Sequence, residues 1–435
     1  MLVAPLDPLC FDATLLPKVV APPYDVIDAG LRARLAARDP HNIVHLDLPE
    51  GDGDARYAHA RELFQAWQAD GVLRRLGEPA FWRYAQTFDP PGGGARCSRR
   101  GFFGLVRAVP FSTGTVLPHE RTLSGPKADR IKLSRATRAT LSPQFMLYSD
   151  PSHSLDPVLD TARPFAQFTT DDGVEHELSR VTDSAAIATI SRGLESSRLL
   201  IADGHHRYET AVTLADEIDA EARARGPVSE LGEHRYTPVF LTNGDDPALM
   251  VFPTHRLIHS LPRFDFDTLC QGARAIFEVK PLEGAVREWT AALARAGTSS
   301  VCAVAPDGRA ALLCLRPDAD LGKHPVLSRR PDVLRSTAVA LLHDGILEHL
   351  LGITPEAQAA KTNIRYLQDA STGVDMLRAG KGQGLFMLNA TPIRTIREVA
   401  ESGEVMPQKS TFFYPKVPTG LLIHTLRPDV AVRAG

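Results

Sequence analysis

The 435-residue chain has a net charge of −3 and is 43% hydrophobic, enough apolar sequence for a large core in two or three lobes. The near-neutral charge argues against a protein that coats nucleic acid. Acidic residues interrupt positions 1–30, and no stretch approaches the roughly eighteen apolar residues of a membrane span. Five scattered cysteines without a C-x-x-C pair are typical of reduced core residues. We therefore expect a soluble cytoplasmic protein without a membrane partner.

The N-terminal part of the sequence predicts alternating helices and strands. Asp28 is a predicted N-cap. The apolar spacing predicts helices over 29–38 and 55–70, strands over 42–48, 81–88 and 101–109, and a Pro/Gly-rich turn over 90–94.

The middle part contains a predicted strand followed at once by a helix. Residues 198–202 form a short apolar run, and Ala211, Val212, Leu214, Ala215 and Ile218 are spaced as on one helix face. Between these two segments lie Asp203, Gly204, two histidines and Arg207.

The C-terminal part also predicts both helices and strands. The predicted elements are two helices within 261–296, a hairpin over 301–315 turning at Asp307-Gly308, a helix over 332–351, a strand over 384–389, and a helix from Thr391-Pro392 to Gly403. The sequence thus predicts a mixed α/β (α+β) protein. We expect an N-terminal α+β lobe over 1–115, a core over 116–260, and a C-terminal α+β lobe over 261–435 whose last segment returns to the site.

The strand-to-helix turn has the composition of an anion-binding site. Free backbone N–H groups and the positive end of the helix dipole meet at such a turn. Gly204 lets the backbone come close to a ligand, and Arg207 can bind two phosphate oxygens. Phosphate is the usual anion at such a position, so Gly204 and Arg207 are predicted phosphate ligands.

Two other interpretations of this turn stay open. Asp203 is a possible helix N-cap, with His205 and His206 as ordinary turn residues. Metal binding is the other interpretation. A zinc site would require a further ligand at i+4, as in H-E-x-x-H, and none stands there. A Mg²⁺ ion carried in with phosphates, with Asp203 as its ligand, fits better.

A second polar segment lies at residues 117–130, around a Gly-Pro break. Glu120 beside His119 is a candidate general base, because a carboxylate next to an imidazole can act on a hydroxyl. Lys127 and Arg130 are candidates for neutralising phosphate charge, and Thr122 is a candidate supporting residue. A solvated surface explains the same composition equally well.

A third candidate lies near the end, at Lys409-Ser410-Thr411. One positive charge and two hydroxyls resemble the end of a P-loop, but the upstream glycines of a Walker A motif are missing. An edge strand with surface lysines is the alternative. Asp25, in the segment Pro22-Pro23-Tyr24-Asp25, is a weaker candidate.

Four segments together resemble the domain of unknown function 1015 family, whose name implies no activity. They run in order from end to end of the chain: residues 22–27, 119–138, 202–211 and 406–420.

The His119-Glu120 pair followed by Asp203-Gly204-His205-His206-Arg207 is similar to the ParB/sulfiredoxin-like fold, especially its free-serine-kinase branch. This resemblance implies a phosphate-binding turn at the helix N-terminus, with His206 as a further phosphate ligand, and Glu120 as the base near a substrate hydroxyl. It also implies catalytic or positioning roles for Asp203 and His205.

Taken together, the sequence predicts a phosphotransferase acting on a small polar hydroxyl compound such as free serine. The implied cofactors are Mg²⁺ and a donor that is ATP, ADP or pyrophosphate. The alternative is a nucleotide-binding regulatory or DNA-associated ParB-like module. It would need a basic helix-turn-helix, and the sequence shows none.

Overall fold

The computed structural model describes residues 2–91, 93–122 and 124–433. The chain divides into two compact units. The first comprises residues 1–117, 122–250 and 415–435, and the second comprises residues 118–121 and 251–414. The three-part division at residues 115 and 260 stays a prediction beside these two units.

The first unit contains a mixed sheet of nine strands among the described residues. Its strands follow in the order Val116–Leu117, Leu199–Asp203, Gln144–Tyr148, Tyr236–Asn243, Cys97–Arg107, Phe81–Phe88, Glu175–Val181 and Arg163–Thr169, with Val3–Ala4 paired beside Cys97–Arg107. Gln144–Tyr148 runs parallel to Tyr236–Asn243 and antiparallel to Leu199–Asp203. Two short ladders pair Leu9–Cys10 with Arg74–Arg75 and Ala139–Thr140 with His424–Thr425.

Helices cover this sheet. They are Leu16–Val19, Ala29–Arg38, Val44–Asp47, Ala55–Ala69, Ser124–Thr137, Asp156–Leu159, Ser184–Gly193 and His205–Arg223, with 3₁₀ turns at Tyr24–Val26, Phe111–Thr113 and Glu233–Arg235. Phe102, Met146 and Ile201 from three strands of the sheet pack with Ile187 and Tyr208 from two helices in one buried cluster. The Tyr208 hydroxyl donates to the Val109 carbonyl at 2.8 Å, which attaches the long helix His205–Arg223 to the segment that follows the strand Cys97–Arg107.

The second unit is a three-layer arrangement around an antiparallel sheet. Its strands follow in the order Phe277–Leu282, Ala310–Leu315, Ser300–Val304, Gly384–Leu388, His255–Ile258 and Ile364–Leu367. Alternate residues face opposite layers. Val301 and Ala303 pack in one apolar cluster, and Cys302 and Val304 pack in another.

The helices of the second unit lie on both faces of the sheet. They are Phe266–Ala273, Val286–Ala296, Asp332–Arg335, Ala338–Ala340, the π-helix Leu341–Glu348, Pro355–Ala360, Ala370–Arg378 and Ile393–Glu401, with a 3₁₀ turn at Leu327–Arg329. A separate ladder pairs Met250–Phe252 with Phe412–Tyr414.

The predicted mixed α/β class is confirmed, as are several elements. The helix Ala29–Arg38 starts at Asp28, whose carboxylate accepts from Leu31 N at 2.7 Å. The helix Ala55–Ala69, the paired strands Phe81–Phe88 and Cys97–Arg107, and the hairpin strands Ser300–Val304 and Ala310–Leu315 also match the prediction. Gly92, in the predicted 90–94 turn, lies outside the described residues.

The predicted strand over 42–48 is wrong. The Asn42 side chain donates to Lys18 O at 2.7 Å and accepts from Val44 N at 3.0 Å, so it starts the short helix Val44–Asp47. Side-chain bonding to the local backbone competes with strand pairing in this way.

The helix predicted over 332–351 is interrupted. Thr337 caps a new start by accepting from Ala340 N, and the chain then continues as a π-helix. In the region 261–296 the strand Phe277–Leu282 separates the two predicted helices. The predicted N-cap Thr391 instead donates to Ser410 O, and Pro392 occupies the cap position.

The described residues contain no helix that is both long enough and apolar enough to cross a lipid bilayer.

Gly101 is a position where the sheet has no room for a side chain. A Cβ there would overlap the Leu241 carbonyl oxygen and lie 2.5 Å from Thr242 Oγ1. We expect Gly101→Ala to lower the free energy of unfolding by about 1–3 kcal/mol, as overpacking does. Denaturant unfolding measures this. Gly30→Ala is the control, because its Cβ meets no atom closer than 3.5 Å. Equal stability of the two variants would contradict the expectation.

Candidate functional site

The turn after the strand Leu199–Asp203 has the backbone that the sequence predicts. Gly204 has φ = 96° and is the N-cap of the helix His205–Arg223. This left-handed conformation favours glycine. A Cβ on Gly204 would lie 3.0 Å from Arg207 Nη2, so glycine also leaves room for the guanidinium to fold back over the turn. The interpretation of Asp203 as the N-cap is therefore wrong.

Arg207 is largely enclosed, with only 8% of its surface exposed. Its Nη1 donates to Ser142 Oγ at 2.6 Å and to the Pro143 carbonyl, and its Nη2 donates to Asp203 Oδ2 at 2.6 Å. The two oxygens on Nη1 and the carboxylate on Nη2 fix the guanidinium plane. Arg207 thus supplies a rigidly placed positive charge, and its predicted direct grip on two phosphate oxygens stays a prediction.

Asp203 bridges two cations. Its Oδ2 accepts from Arg207, and its Oδ1 accepts from Lys416 Nζ at 2.6 Å. Sequence reasoning missed Lys416, although it lies in the polar segment 406–420. Its signal is a lysine between two prolines, Pro415 and Pro418, which favour an extended backbone around it.

Two buried side chains hold the backbone of this segment. Arg99 Nη2 donates to Pro415 O at 2.6 Å, and Gln86 Nε2 donates to Lys416 O at 3.0 Å. Arg99 also lies over the ring of Phe145, 4.6 Å from its centroid. Burial lowers the pKa of the Arg99 guanidinium to about 10. Lys416 is therefore presented to Asp203 from a fixed backbone.

The two histidines of the turn differ in exposure. His205 is buried and His206 is half-buried. Among the described residues, no group of three or more His, Cys, Asp or Glu side chains could hold a metal ion.

Thr122 and Lys127 both contact Glu209, which lies one turn into the helix His205–Arg223. Thr122 Oγ1 donates to Glu209 Oε1 at 2.9 Å, and Lys127 Nζ lies 2.9 Å from Glu209 Oε2. Sequence reasoning did not select Glu209, which fixes both predicted residues beside the helix.

Arg130 is part of a buried ion network. It donates to Asp47 Oδ1 at 2.7 Å, pairs with Asp129, and lies 4.3 Å from the centroid of the Tyr24 ring. Burial raises the pKa of Asp47, and Asp47 Oδ2 has no hydrogen-bond partner among the described residues. Two carboxylates thus compensate the charge of Arg130. The neighbouring candidate Asp25 is exposed.

Glu120 belongs to the second unit, where its carboxylate binds the segment 409–411. Oε2 accepts from Lys409 N at 3.2 Å, and Oε1 accepts from Thr411 N and Thr411 Oγ1, both at 3.0 Å. His119 is fully buried, and its Nε2 lies 2.8 Å from Thr411 Oγ1. The structure thus brings together His119, Glu120, Lys409 and Thr411, which the sequence selected in two separate segments.

Lys409 has a left-handed backbone, with φ = 55°. A non-glycine residue keeps this conformation only where its surroundings enforce it, and such residues cluster at functional sites. Here Glu120 binds the amide of Lys409, and Arg256 Nη2 donates to its carbonyl at 3.1 Å. Ser410 is buried, and its carbonyl accepts from Thr391.

Arg256 is itself held by a relay from the π-helix. Its Nε donates to His343 Nε2 at 3.1 Å, and His343 Nδ1 lies 2.7 Å from Gln358 Oε1. Nε2 can accept only in the neutral imidazole. Burial, assisted by the charge of Arg256, accordingly lowers the pKa of His343 to about 3.

The family of proteins of unknown function DUF1015 matches residues 3–336. The chain therefore belongs to this family. No curated protein matches the chain.

Three solved structures are similar to the chain at low identity. A conserved hypothetical protein from Pyrococcus furiosus shares 12% identity over 75% of this chain and 96% of its own, with a TM-score of 0.37. A free serine kinase in complex with AMP shares 10% identity over 75% of this chain and 92% of its own, with a TM-score of 0.39. SbnI with a C-terminal truncation from Staphylococcus aureus shares 12% identity over 76% of this chain and 91% of its own, with a TM-score of 0.38. Likenesses this distant do not assign an activity.

The buried neutral His343 makes stability depend on pH. Unfolding returns its pKa to about 6.5, so below that pH the unfolded chain takes up a proton that the folded chain does not. Stability is therefore lost as the pH falls from 6.5 toward the folded pKa of about 3. Between pH 7 and pH 5, His343 alone lowers the free energy of unfolding by about 2 kcal/mol.

Between pH 7 and pH 5, we expect the free energy of unfolding of His343→Gln to fall by about 2 kcal/mol less than that of the unchanged protein. Denaturant unfolding at the two pH values measures this difference. His59→Gln is the control, because His59 is exposed. An identical pH dependence in all three proteins would show that His343 is not kept neutral.

Proposed function

We propose that this protein is a phosphotransferase that binds the phosphates of its donor at the turn Asp203–Arg207. The observation that carries the proposal is the backbone of this turn: a left-handed glycine at the start of a helix of 19 residues, with Arg207 fixed beside it and Lys416 paired with Asp203. Helix N-termini bind phosphate because their first N–H groups and the helix dipole point at the same place.

The charges of the turn favour an anion. Arg207 and Lys416 contribute two positive charges and Asp203 one negative charge, which leaves one net positive charge at the positive end of the helix dipole. The side chains of all three residues are at least four-fifths buried, so bulk solvent screens their field less than at an exposed site.

Phosphoryl transfer suits such a site because it requires positioning and charge stabilisation more than covalent chemistry. The donor is a nucleotide such as ATP or ADP, or pyrophosphate. The acceptor is the hydroxyl of a small polar metabolite. Free L-serine is the candidate that the resemblance of the Asp-Gly-His-His-Arg motif supports.

Mg²⁺ accompanies most phosphoryl donors and would neutralise the charge that develops on the phosphoryl oxygens. Asp203 does not fit as its direct ligand in the present arrangement, because each carboxylate oxygen already accepts from a cation. A metal ion there would displace Lys416 or Arg207. No step is therefore assigned to the metal ion.

Glu120 is the proposed general base, and the phosphate-binding role predicted for Lys409, Ser410 and Thr411 stays a prediction. The contacts within the second unit also support a positioning role for this carboxylate, since it accepts from two backbone amides and one hydroxyl. The variants below distinguish the two roles.

We expect one of ATP, ADP, CTP, pyrophosphate or phosphate, each with Mg²⁺, to raise the melting temperature of the protein. A ligand at 100 times its Kd adds about 2.7 kcal/mol of stability. Lys416→Gln should lose most of this rise, because it removes one of the two positive charges at the turn. A thermal shift assay measures both.

Lys132→Gln is the matched control, a lysine of the same unit whose side chain is 46% exposed and paired with Asp54. It should keep the full rise. The phosphate-binding turn is refuted when no donor shifts the unchanged protein, or when Lys416→Gln responds as strongly as Lys132→Gln.

We expect Glu120→Gln to lower kcat by about 10²–10⁴-fold, the usual contribution of a general base, with the ligand-induced thermal shift unchanged. The assay couples the donor found above to phosphorylation of L-serine. Glu401→Gln, an exposed substitution in the same unit, should leave kcat unchanged.

A purely positioning role of Glu120 gives a different pattern. The side-chain amide that Glu120→Gln introduces would face Lys409 N or Thr411 N, and the lost hydrogen bond would lower the free energy of unfolding by about 1–3 kcal/mol. Lower stability with full activity would refute Glu120 as the base while leaving the phosphate site intact.

A further inference from the structure

A cavity of about 210 Å³ lies in the first unit at the end of the strands Gln144–Tyr148 and Tyr236–Asn243. Asp203 of the turn pairs with Phe145, near the start of the strand Gln144–Tyr148, whereas the cavity lies at the end of this strand. The cavity and the proposed phosphate-binding turn therefore occupy opposite edges of the sheet. The carboxyl ends of parallel strands are a frequent place for ligands in open α/β sheets. The cavity is lined by Arg83, Ser98, Arg100, Gly101, Tyr148, His153, Asp156, Leu159, Asp160, Asn243 and Asp246.

The loop that borders this cavity is held in a defined shape. Asn243 Nδ2 donates to Asp150 O at 2.7 Å, and Asn243 Oδ1 accepts from Asp150 N and Asp245 N, both at 3.1 Å. The Asp150 carboxylate in turn accepts from Ser152 and Ser154. The cavity is thus bounded by residues that are fixed before any ligand binds.

The charges around the cavity are only partly compensated. Arg83 pairs with Asp160 at 3.2 Å, and His153 lies 3.0 Å from Asp156. Arg100 and Asp246 form no ion pair with any described residue. Among the described residues, Asp246 Oδ1 accepts from the amide of Ala248, in its own turn. The exposed Arg100 and the half-buried Asp246 therefore border the same cavity, each without an ion-pair partner among the described residues.

The hydroxyl of Tyr148 is a separate indication of a ligand. Tyr148 is only 3% exposed and lines the cavity, yet its hydroxyl bonds to none of the described residues. The hydroxyl oxygen is not among the fully enclosed polar atoms that lack a partner, so it is accessible from the cavity and can bond to a ligand there. Burial raises its pKa, and the carboxylates of Asp156, Asp150 and Asp246 raise it further. The hydroxyl is thus a neutral donor close to negative charges.

We propose that this cavity binds a small zwitterion of the amino-acid class, with its carboxylate on Arg100, its ammonium on Asp246, and a hydrogen bond to Tyr148. A simple anion would leave Asp246 uncompensated, and a simple cation would leave Arg100 uncompensated. A zwitterion compensates both. This site does not depend on the proposed phosphotransfer.

The volume fits a molecule of this class. A cavity of about 150 Å³ accommodates the six carbons of benzene, so about 210 Å³ accommodates a molecule on the order of eight non-hydrogen atoms. A nucleotide is much larger than this. The cavity is therefore a distinct site for a small ligand, at the opposite edge of the sheet from the proposed phosphate-binding turn.

A thermal shift screen of each proteinogenic amino acid, followed by calorimetric titration of the best one, tests the proposal. We expect binding to weaken roughly 10- to 100-fold in Arg100→Gln and in Asp246→Asn, which remove charged hydrogen bonds. Tyr148→Phe, which removes only the hydroxyl, should weaken it roughly two- to tenfold. The N-acetylated and the amidated forms of the same amino acid should not bind.

His206→Gln serves as the control, since it changes the turn at the opposite sheet edge. Binding should persist in it. The proposal is overturned if no amino acid binds, if Arg100→Gln and Asp246→Asn bind as the unchanged protein does, or if only His206→Gln loses binding. This last result would place the amino acid at the phosphate-binding turn and leave the proposed phosphotransferase standing.

Discussion

The carboxylate of Asp203 is the interaction on which the geometry of the strand-to-helix turn depends. It lies 2.6 Å from both Arg207 Nη2 and Lys416 Nζ, and the side chains of all three are at least four-fifths buried. Such charges are stable inside a protein only when each is compensated, and removing one partner is strongly destabilising. Asp203 therefore determines where the two cations are held. The helix N-terminus carries a defined positive charge because a carboxylate fixes it, even though that carboxylate reduces the net charge.

The same constraint explains how much of this turn the sequence could predict. The strand Leu199–Asp203, Gly204 and the helix His205–Arg223 follow from local signals: an apolar run, a glycine and helical spacing. The contact with Lys416 joins residues 213 positions apart, and no local pattern carries it. Composition alone also could not show that Arg207 is bonded to Ser142 and Pro143. The sequence therefore predicted the turn itself. The partners that balance its charges became visible only in the folded structure.

In the second unit, too, the sequence predicted the polar segments but not the contacts between them. His119-Glu120 and Lys409-Ser410-Thr411 were each recognisable as polar segments, and the structure brings Glu120 onto the amides of Lys409 and Thr411. The sequence could not show that Lys409 would take a left-handed backbone, because lysine has no preference for it. That conformation is enforced by Glu120 on one side and Arg256 on the other, and Arg256 depends on the neutral His343 of the π-helix. The predicted continuous helix over 332–351 contained no signal for this polar relay.

Arginines selected as phosphate ligands prove to be occupied by internal partners, and this changes how such a site would act. Arg130 is compensated by Asp47 and Asp129, and Arg207 by Asp203. A guanidinium fixed on several sides needs no rearrangement when charge develops nearby, which is the condition for electrostatic stabilisation by a preorganised site. Lys416 differs from both, because an ammonium on a flexible stem can turn between Asp203 and a bound anion while its backbone stays held by Arg99 and Gln86. The turn therefore combines one immobile and one adjustable positive charge. In the proposed phosphate site, a bound anion would compete with Asp203 for the adjustable one.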